Sequence, residues 1–159
     1  MQTRTTMESP IGELHLVNTD GTLSELRMGS PGRTAAVDAG RDGFERAIEE
    51  LTRYFHGELV EFTIPIAPRG NEFQMRVWEQ LLRIPYGETR SYGEIARTLG
   101  DPGRAREVGW ANARNPIAIV VPCHRVIGSD GSLTGYAGGL DRKRWLLDLE
   151  AGRRTLFVA

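Results

Sequence analysis

The only cysteine of this 159-residue chain, Cys123, is followed directly by His124. The pair comes after the apolar run at residues 117–121 and after Pro122. One thiol cannot form an internal disulfide, and a thiol beside an imidazole that can take its proton is a candidate nucleophile. Lone cysteines are also commonly inert buried side chains, so the pair by itself leaves both interpretations open.

The ionisation and geometry of this pair set conditions on the surrounding backbone. A thiol with the ordinary pKa of about 8.5 is only slightly ionised near neutral pH, so a base within reach matters. Adjacent side chains of a strand point to opposite faces of the sheet. Cys123 and His124 can therefore cooperate only where the chain bends, and Pro122 predicts such an irregular backbone.

Helical signals dominate the segment before the pair. Asn71 can cap a helix, and Ser91 with Glu94 forms a capping box that opens a short helix ended by Gly100. Residues 101–113 predict one more helix, which begins with an Asp-Pro step. Two short helices joined by a tight glycine-containing turn are typical of a helix-turn-helix, although this pattern alone is weakly specific.

The elements around and after the pair are predicted from shorter signals. The β-branched run at residues 117–121 predicts a strand leading to Cys123. Residues 126–127 and 133–134 predict a hairpin around an Asp-Gly turn. A final helix is expected from Asp141 to about Glu150.

The first third of the chain predicts a small α+β domain that ends near residue 68. Its predicted elements are a strand at 13–17, an Asp20-Gly21 turn, a strand at 23–28, a loop at 30–43, a helix at 44–55 and a last strand at 62–64. The linker-like sequence at 67–70 divides the chain into domains 1–68 and 69–159.

Composition excludes several classes of protein. The hydrophobic content of 40% and charged content of 26% are ordinary for a globular protein. No apolar run approaches the roughly 20 residues of a membrane span, and the N-terminus lacks a signal-peptide core, so no membrane association and a cytoplasmic location are expected. Nineteen of the 20 basic residues are arginines and Lys143 is the only lysine. Residues 1–68 have a net charge of −5 and residues 69–159 of +4, so a polyanion would prefer the second half.

Neither a metal nor a cofactor is indicated. The three histidines, His15, His56 and His124, lack ligand spacing, and no phosphate-binding or dinucleotide-binding fingerprint is present. We therefore expect no bound metal and no cofactor.

Several short motifs occur in one order along the second half of the chain. They are Pro85-Tyr86-Gly87-Glu88, Ser91-Tyr92, Asn115-Pro116, Pro122-Cys123-His124-Arg125 and Tyr136-Ala137-Gly138-Gly139. This ordered set resembles the O6-alkylguanine-DNA alkyltransferases, which are also called methylated-DNA–protein-cysteine methyltransferases. The resemblance is dense over residues 71–150 and looser over the first domain, and it fits the short bacterial form.

The resemblance implies an α+β fold in which a small N-terminal α/β domain like ribonuclease H precedes a mostly helical winged helix-turn-helix domain. It implies a suicide repair protein that flips an O6-alkylguanine, and also an O4-alkylthymine, out of double-stranded DNA. The alkyl group then passes irreversibly to the protein's own cysteine. A bacterial protein of this kind would act as a monomer near the nucleoid, with cooperativity on DNA left open.

The resemblance also implies four catalytic residues. Cys123 would accept the alkyl group, and His124 would take the thiol proton through a water molecule. Glu150 would orient the imidazole, although a carboxylate at a helix end is otherwise most simply a solvated one. Asn115 would hold the hinge between the second helix and the strand that leads to the site.

Eight further residues are predicted to contact DNA or the flipped base, Arg114 from its charge and position and the others from the resemblance. They are Tyr92, Arg106, Tyr136, Val126, Ala137, Gly138, Ser91 and Arg114. Tyr92 would crowd the phosphate of the flipped nucleotide, Arg106 would fill the gap in the base stack, and Arg114 would add a phosphate contact. Tyr136 and the backbone of 137–138 would line the base pocket, where the carbonyls of Cys123 and Val126 would receive the exocyclic amine. Tyr92 and Tyr136 fit equally well as core aromatics.

Two residues depart from the family pattern, and two other functions compete. Arg114 lies beside the hinge residue Asn115, where it can add a phosphate contact. Trp110 is bulkier than the small residue expected on the second helix of the motif. A turning-over cysteine hydrolase with a Cys-His-Glu triad is the second hypothesis. A non-catalytic DNA-binding regulator is the third, and the presence of Cys123 argues against it.

Overall fold

The computed structural model describes residues 1–29 and 34–152, so part of the loop predicted at 30–43 and the end of the second domain lie outside the described residues. The strands and helices follow in chain order: β1 Gln2–Met7, β2 Leu14–Thr19, β3 Thr22–Met28, β4 Val37–Asp38, α1 Glu45–Phe55, α2 Glu72–Leu82, β5 Arg90–Ser91, α3 Tyr92–Thr98, α4 Ala105–Ala113, β6 Val126–Ile127 and α5 Leu140–Glu150. The mixed α+β class is confirmed. Within the described ranges, no helix is both long enough and apolar enough to cross a membrane.

The N-terminal sheet has the strand order β3-β2-β1-β4, with β4 parallel to β1 and the other pairs antiparallel. The predicted turn at Asp20-Gly21 is confirmed, since both residues have positive φ values, 50° and 85°, as a two-residue hairpin loop requires. Strands β1 and β4 were not predicted from the sequence. The short β4 interrupts the segment expected to be a loop.

The strand predicted at residues 62–64 is wrong. The Glu50 carboxylate, on α1, accepts hydrogen bonds from the backbone N–H groups of Thr63 and Ile64 at 2.9 and 3.2 Å. These donors are thus satisfied without a neighbouring strand. The nearest sheet contact is a single parallel bridge between Leu23 and Ile66.

The helices of the second half begin where the capping signals predict. Asn71 and Gln74 cap α2 reciprocally, and Ser91 and Glu94 do the same for α3. The predicted helix at 101–113 starts instead with one 3-10 turn, Pro102–Arg104, before α4.

The strand predicted at residues 117–121 is also wrong, because the segment folds into turns. Ile119 has a φ of 71°, which a β-branched residue rarely adopts and which no strand contains. The Asn115 side chain holds the turn, donating to the Val121 carbonyl at 2.7 Å and accepting from the Ile117 N–H at 3.0 Å. Apolar residues dominate this segment because it is buried, not because it pairs in a sheet.

The hairpin predicted between 126–127 and 133–134 is wrong as well. Strand β6 pairs in parallel with β5, which immediately precedes α3. The Asp130-Gly131 turn is present, but the chain leaves it without forming a second strand. This pairing joins the segment after Cys123 directly to the start of the first helix of the motif.

Candidate active site

Cys123 lies in a 3-10 turn that comprises Cys123–Arg125 and follows Pro122. Successive side chains of such a turn point about 120° apart rather than to opposite faces. The bend that cooperation of Cys123 with His124 requires is therefore present. The cysteine is only 5% exposed and His124 is completely buried.

A buried carboxylate holds the imidazole of His124. Nε2 of His124 lies 2.7 Å from Oε2 of Glu150, at the last residue of α5. Because an ionised carboxylate only accepts hydrogen bonds, Nε2 carries the proton and Nδ1 is the basic nitrogen. Within the described part of the chain Nδ1 has no hydrogen-bond partner.

Two residues that hold Glu150 were not assigned a role from the sequence. The Arg125 guanidinium donates from Nε to Oε1 at 2.7 Å and from a terminal nitrogen to Oε2 at 3.0 Å. The Tyr54 hydroxyl, from α1 of the first domain, donates to Oε2 at 2.5 Å. Arg125 also donates to the Ile84 carbonyl at 2.7 Å. Glu150 is thus the centre of a buried network that spans both halves of the chain.

The pKa values of the pair follow from these contacts. Burial raises the pKa of Glu150, but the hydrogen bonds and charges of His124 and Arg125 outweigh it and lower that pKa to about 2. Burial lowers the pKa of His124 below its ordinary value, and the opposing effect of Glu150 does not overcome it. The imidazole is therefore neutral at neutral pH and able to accept a proton.

Acid should lower the free energy of unfolding, because the Glu150 carboxylate becomes protonated. Its folded pKa of about 2 lies below the ordinary 4.5, so its stabilisation is complete above pH 4.5 and is lost as the pH falls toward 2. The full shift corresponds to about 3 kcal/mol, of which about 2 kcal/mol is lost by pH 3. Urea unfolding from pH 6 to pH 3 should show this loss in the wild-type protein and not in Glu150→Gln. Parallel pH curves for the two proteins would contradict it.

The Cys123 thiol is protonated in the resting protein. Burial raises its pKa above the ordinary value, while the Asn115 side chain, the Lys143 charge and the Tyr136 hydroxyl act in the opposite direction. Asn115, Lys143 and Tyr136 thus favour the thiolate form of Cys123, whereas the exclusion of water by burial disfavours that form, and burial has the larger effect. Transfer of the thiol proton to a base is required before attack.

The only lysine is a buried member of the site that sequence reasoning missed. Lys143 Nζ donates to the carbonyls of Val126 and Thr134 at 2.5 and 2.9 Å. Burial lowers the pKa of Lys143 to about 8, against the opposing charge of Cys123, so the ammonium is still mostly protonated at pH 7. One feature of the sequence could have drawn attention to Lys143: it is the only lysine beside nineteen arginines.

A cavity of about 240 Å³ opens beside Cys123. Its walls come from β3, from the end of α4 and from the segment before α5, and are formed by Leu26, Arg27, Met28, Asn112, Ala113, Arg114, Asn115, Ala118, Cys123, Tyr136, Ala137 and Gly138. At Gly138 an added Cβ would lie 2.8 Å from the Tyr136 ring and 2.9 Å from the Met28 sulfur, so any larger residue here would force these side chains of the wall to move. Of the residues predicted for the base pocket, Tyr136, Ala137 and Gly138 do line this cavity.

Backbone carbonyls beside the cavity already have partners. The Cys123 carbonyl accepts from Asn112 Nδ2 at 3.2 Å, and the Val126 carbonyl accepts from Lys143. The Cys123 carbonyl also accepts from the Val126 N–H, so both of its lone pairs are engaged and an incoming amine would have to displace one of these donors. The predicted role of these carbonyls toward an exocyclic amine stays a prediction.

The remaining predicted DNA contacts lie outside the cavity, apart from Arg114 at its edge. Tyr92 is half-buried and its hydroxyl donates to the Thr134 carbonyl at 3.1 Å. Ser91 is buried as the cap of α3, with its hydroxyl accepting from the Glu94 N–H. Arg106, on α4, and Arg114, the C-cap residue that follows it, are both exposed. Within residues 1–29 and 34–152, no cluster of three histidine, cysteine or acidic side chains could hold a metal ion.

Comparison with known proteins gives one consistent result. The model of the 6-O-methylguanine DNA methyltransferase ribonuclease-like domain matches residues 3–68, and that of the DNA-binding domain matches residues 72–152. A methylated-DNA–protein-cysteine methyltransferase of Mycolicibacterium paratuberculosis is 59% identical over 149 residues, which cover 91% of this chain and 90% of the relative.

Solved structures agree in fold over nearly the whole chain. The crystal structure of the Mycobacterium tuberculosis O6-methylguanine methyltransferase superimposes with a TM-score of 0.90 at 53% identity, covering 98% of this chain and 96% of the other. A second structure, of the protein from that organism in complex with DNA, gives a TM-score of 0.88 at 53% identity and covers 95% and 94%.

Proposed function

Because the chain belongs to the 6-O-methylguanine DNA methyltransferase family, the methylated-DNA–protein-cysteine methyltransferases, we propose that it repairs duplex DNA by moving the alkyl group of an O6-alkylguanine onto its own Cys123. The observation that carries this assignment is a buried thiol that lines a cavity and directly precedes the histidine of a buried His124–Glu150 pair. The ribonuclease-like and DNA-binding domains of the family support the same conclusion.

The binding step uses the cavity and the outer face of the second domain. A flipped guanine enters between Tyr136 and the end of α4, where Cys123 forms the inner wall. Extrusion costs a few kcal/mol of stacking and pairing, and Arg106, exposed on α4, takes the place of the extruded base. Tyr92 and Arg114 contact the backbone on either side. A structure of the M. tuberculosis relative in complex with DNA supports DNA as the partner.

The chemical step is a displacement at the alkyl carbon. The thiol proton passes to Nδ1 of His124, through a water molecule, because Glu150 keeps Nε2 protonated. The Cys123 sulfur forms a bond to the alkyl carbon as the bond from that carbon to O6 breaks, and the electron pair stays on guanine. The imidazolium of His124 then releases its proton and the guanine anion takes one up, so the imidazole and guanine both end neutral and charge and protons balance. Lys143 and Asn115 favour the transient thiolate.

The test is a count of turnovers. The protein is incubated with excess duplex DNA containing O6-methylguanine, and its mass and the remaining lesion are measured together. We expect one methyl group per chain, located on the peptide that contains Cys123, and repair that stops at one equivalent. Cys123→Ala is the control and should transfer nothing while it still binds the lesion-containing duplex.

The same measurement separates the two competing functions. A cysteine hydrolase forms a thioester that water cleaves, whereas S-alkylation leaves a stable thioether, so sustained turnover would contradict the proposal. A non-catalytic regulator would bind the lesion without gaining mass.

Three finer statements stay predictions. Repair of O4-alkylthymine is checked by the same count with a thymine-lesion duplex. A monomeric state is checked by light scattering with and without DNA, and the predicted cytoplasmic location by cell fractionation.

A further inference from the structure

The outer face of α4 presents an aromatic ring between two cations. Arg106 and Trp110 are four residues apart and lie on one face of the helix, and Arg114, the C-cap residue that follows α4, continues this four-residue spacing. Both arginines are exposed, and 56% of Trp110 is exposed. The opposite face of α4, at Val108 and Ala111, is buried against the rest of the domain.

The charges of this face are available to a partner. Arg104, one turn earlier, is held by Glu107 at 3.2 Å and lies over the Phe73 ring. Over the described part of the chain, neither Arg106 nor Arg114 forms an ion pair with a carboxylate. The face therefore offers a large apolar surface flanked by two unneutralised positive charges.

The position of this face relative to the reactive cysteine narrows the choice of partner. Arg114, at one end of the face, also lines the cavity that contains Cys123. Trp110 is not part of the cavity wall and cannot contact the base inside it. Anything that contacts both Arg114 and Trp110 runs along the surface outside the cavity mouth. A polyanion with planar, stackable groups fits this arrangement of charge and aromatic surface.

We propose that Trp110 is a DNA-contacting residue whose indole packs against the bases or sugars of the duplex next to the extruded nucleotide. This inference rests on the proposed function, because it requires the duplex to lie across the mouth of the cavity. The contact is apolar and displaces no counterions, so it adds affinity that does not depend on salt. It differs in this respect from the phosphate contact of Arg114.

The test compares affinities for an unmodified duplex at salt concentrations from 50 to 200 mM, measured by fluorescence anisotropy of labelled DNA. Loss of one aromatic stacking contact predicts that Trp110→Ala raises the Kd about tenfold at every salt concentration, with the slope of log K against log salt unchanged. Trp110→Phe should stay within about threefold of the wild type, since it keeps an aromatic ring. Arg114→Gln should instead reduce the slope by about 1.

A matched control and a second readout complete the design. Leu82, at the end of α2, is 48% exposed and does not line the Cys123 cavity, so Leu82→Ala should bind DNA as the wild type does. Trp110 is the most exposed of the three tryptophans, so DNA should shield its emission from acrylamide, and this shielding should be absent in Trp110→Phe.

Each outcome of these binding measurements either supports or overturns the proposed contact between Trp110 and DNA. If the wild type binds DNA and Trp110→Ala has the same Kd, the inference is overturned while the proposed function stands. A weakened Trp110→Ala with a shallower salt slope also overturns it, since the effect would then come from displaced phosphate contacts. A wild-type protein that does not bind duplex DNA refutes the proposed function itself.

Discussion

Replacing Glu150 by glutamine should slow methyl transfer at neutral pH by about a hundredfold or more, the range that loss of general-base catalysis produces. Glutamine fills the same space, but its amide group can donate to Nε2 of His124 where the carboxylate only accepts. The imidazole then carries its proton on Nδ1 and cannot take the proton of Cys123. Single-turnover rates with a methylated duplex in excess over protein measure the effect.

The pH profile separates this positioning role from simple damage to the fold. Without the base, the rate of Glu150→Gln should follow direct ionisation of Cys123 and rise about tenfold per pH unit toward the raised pKa of the thiol. The wild-type rate should level off at lower pH. Tyr54→Phe, which removes another hydrogen bond to the same carboxylate, is the matched control and should slow transfer less than tenfold. Equal losses with parallel pH profiles would show that Glu150 only supports the structure.

Replacing Arg125 by methionine should cost about 3–5 kcal/mol of stability, the usual result of removing one partner of a buried ion pair. Arg125 is the only guanidinium that contacts Glu150 within the described residues, and the side chains of both are almost completely buried. Methionine can pack in the same space, but it leaves the carboxylate without its positive partner and the Ile84 carbonyl without its donor. Urea unfolding at pH 7 measures the loss.

Two further variants show whether the loss comes from the buried charge. Arg83→Ala removes an exposed ion pair with Glu79 and should cost less than about 1 kcal/mol. The double variant Arg125→Met/Glu150→Gln should recover part of the loss, because no ionised carboxylate is then left unpaired. If the double variant is destabilised by the sum of the single effects, the two groups are not coupled and the explanation fails.

The sequence predicts correctly those helices whose capping hydrogen bonds form between residues close together in the chain. The caps of α2 and α3 lie within four residues of Asn71 and Ser91, so the sequence contains all the partners. The segments 62–64 and 117–121 were predicted wrongly because their backbone groups are satisfied differently. Glu50, on α1, supplies the acceptors for the first, and the Asn115 side chain folds the second into a turn. Apolar composition reports burial and does not distinguish a strand from a buried turn.

In the candidate site, too, contacts between neighbouring residues could be predicted from the sequence, and contacts between distant residues could not. Cys123 and His124 are adjacent, and their chemistry is visible in the sequence. The pairing of His124 with Glu150 came only from family resemblance, since 26 residues separate them. The hydrogen bond from Tyr54 to Glu150 spans 96 residues and left no local signal. The role of Arg125 was missed because an arginine after a histidine is unremarkable until its partner is known.

The cavity crosses the division that the two family models draw in the chain. Its walls combine residues 26–28 with residues from α4 and from the segment before α5. The halves are therefore not interchangeable modules. If the second half of the chain were fused to the N-terminal half of another protein, it would keep Cys123 and His124 but would form a cavity of different shape. The size of adduct that fits beside Cys123 is thus a joint property of both halves, and it can change through β3, in the half that contains neither Cys123 nor His124.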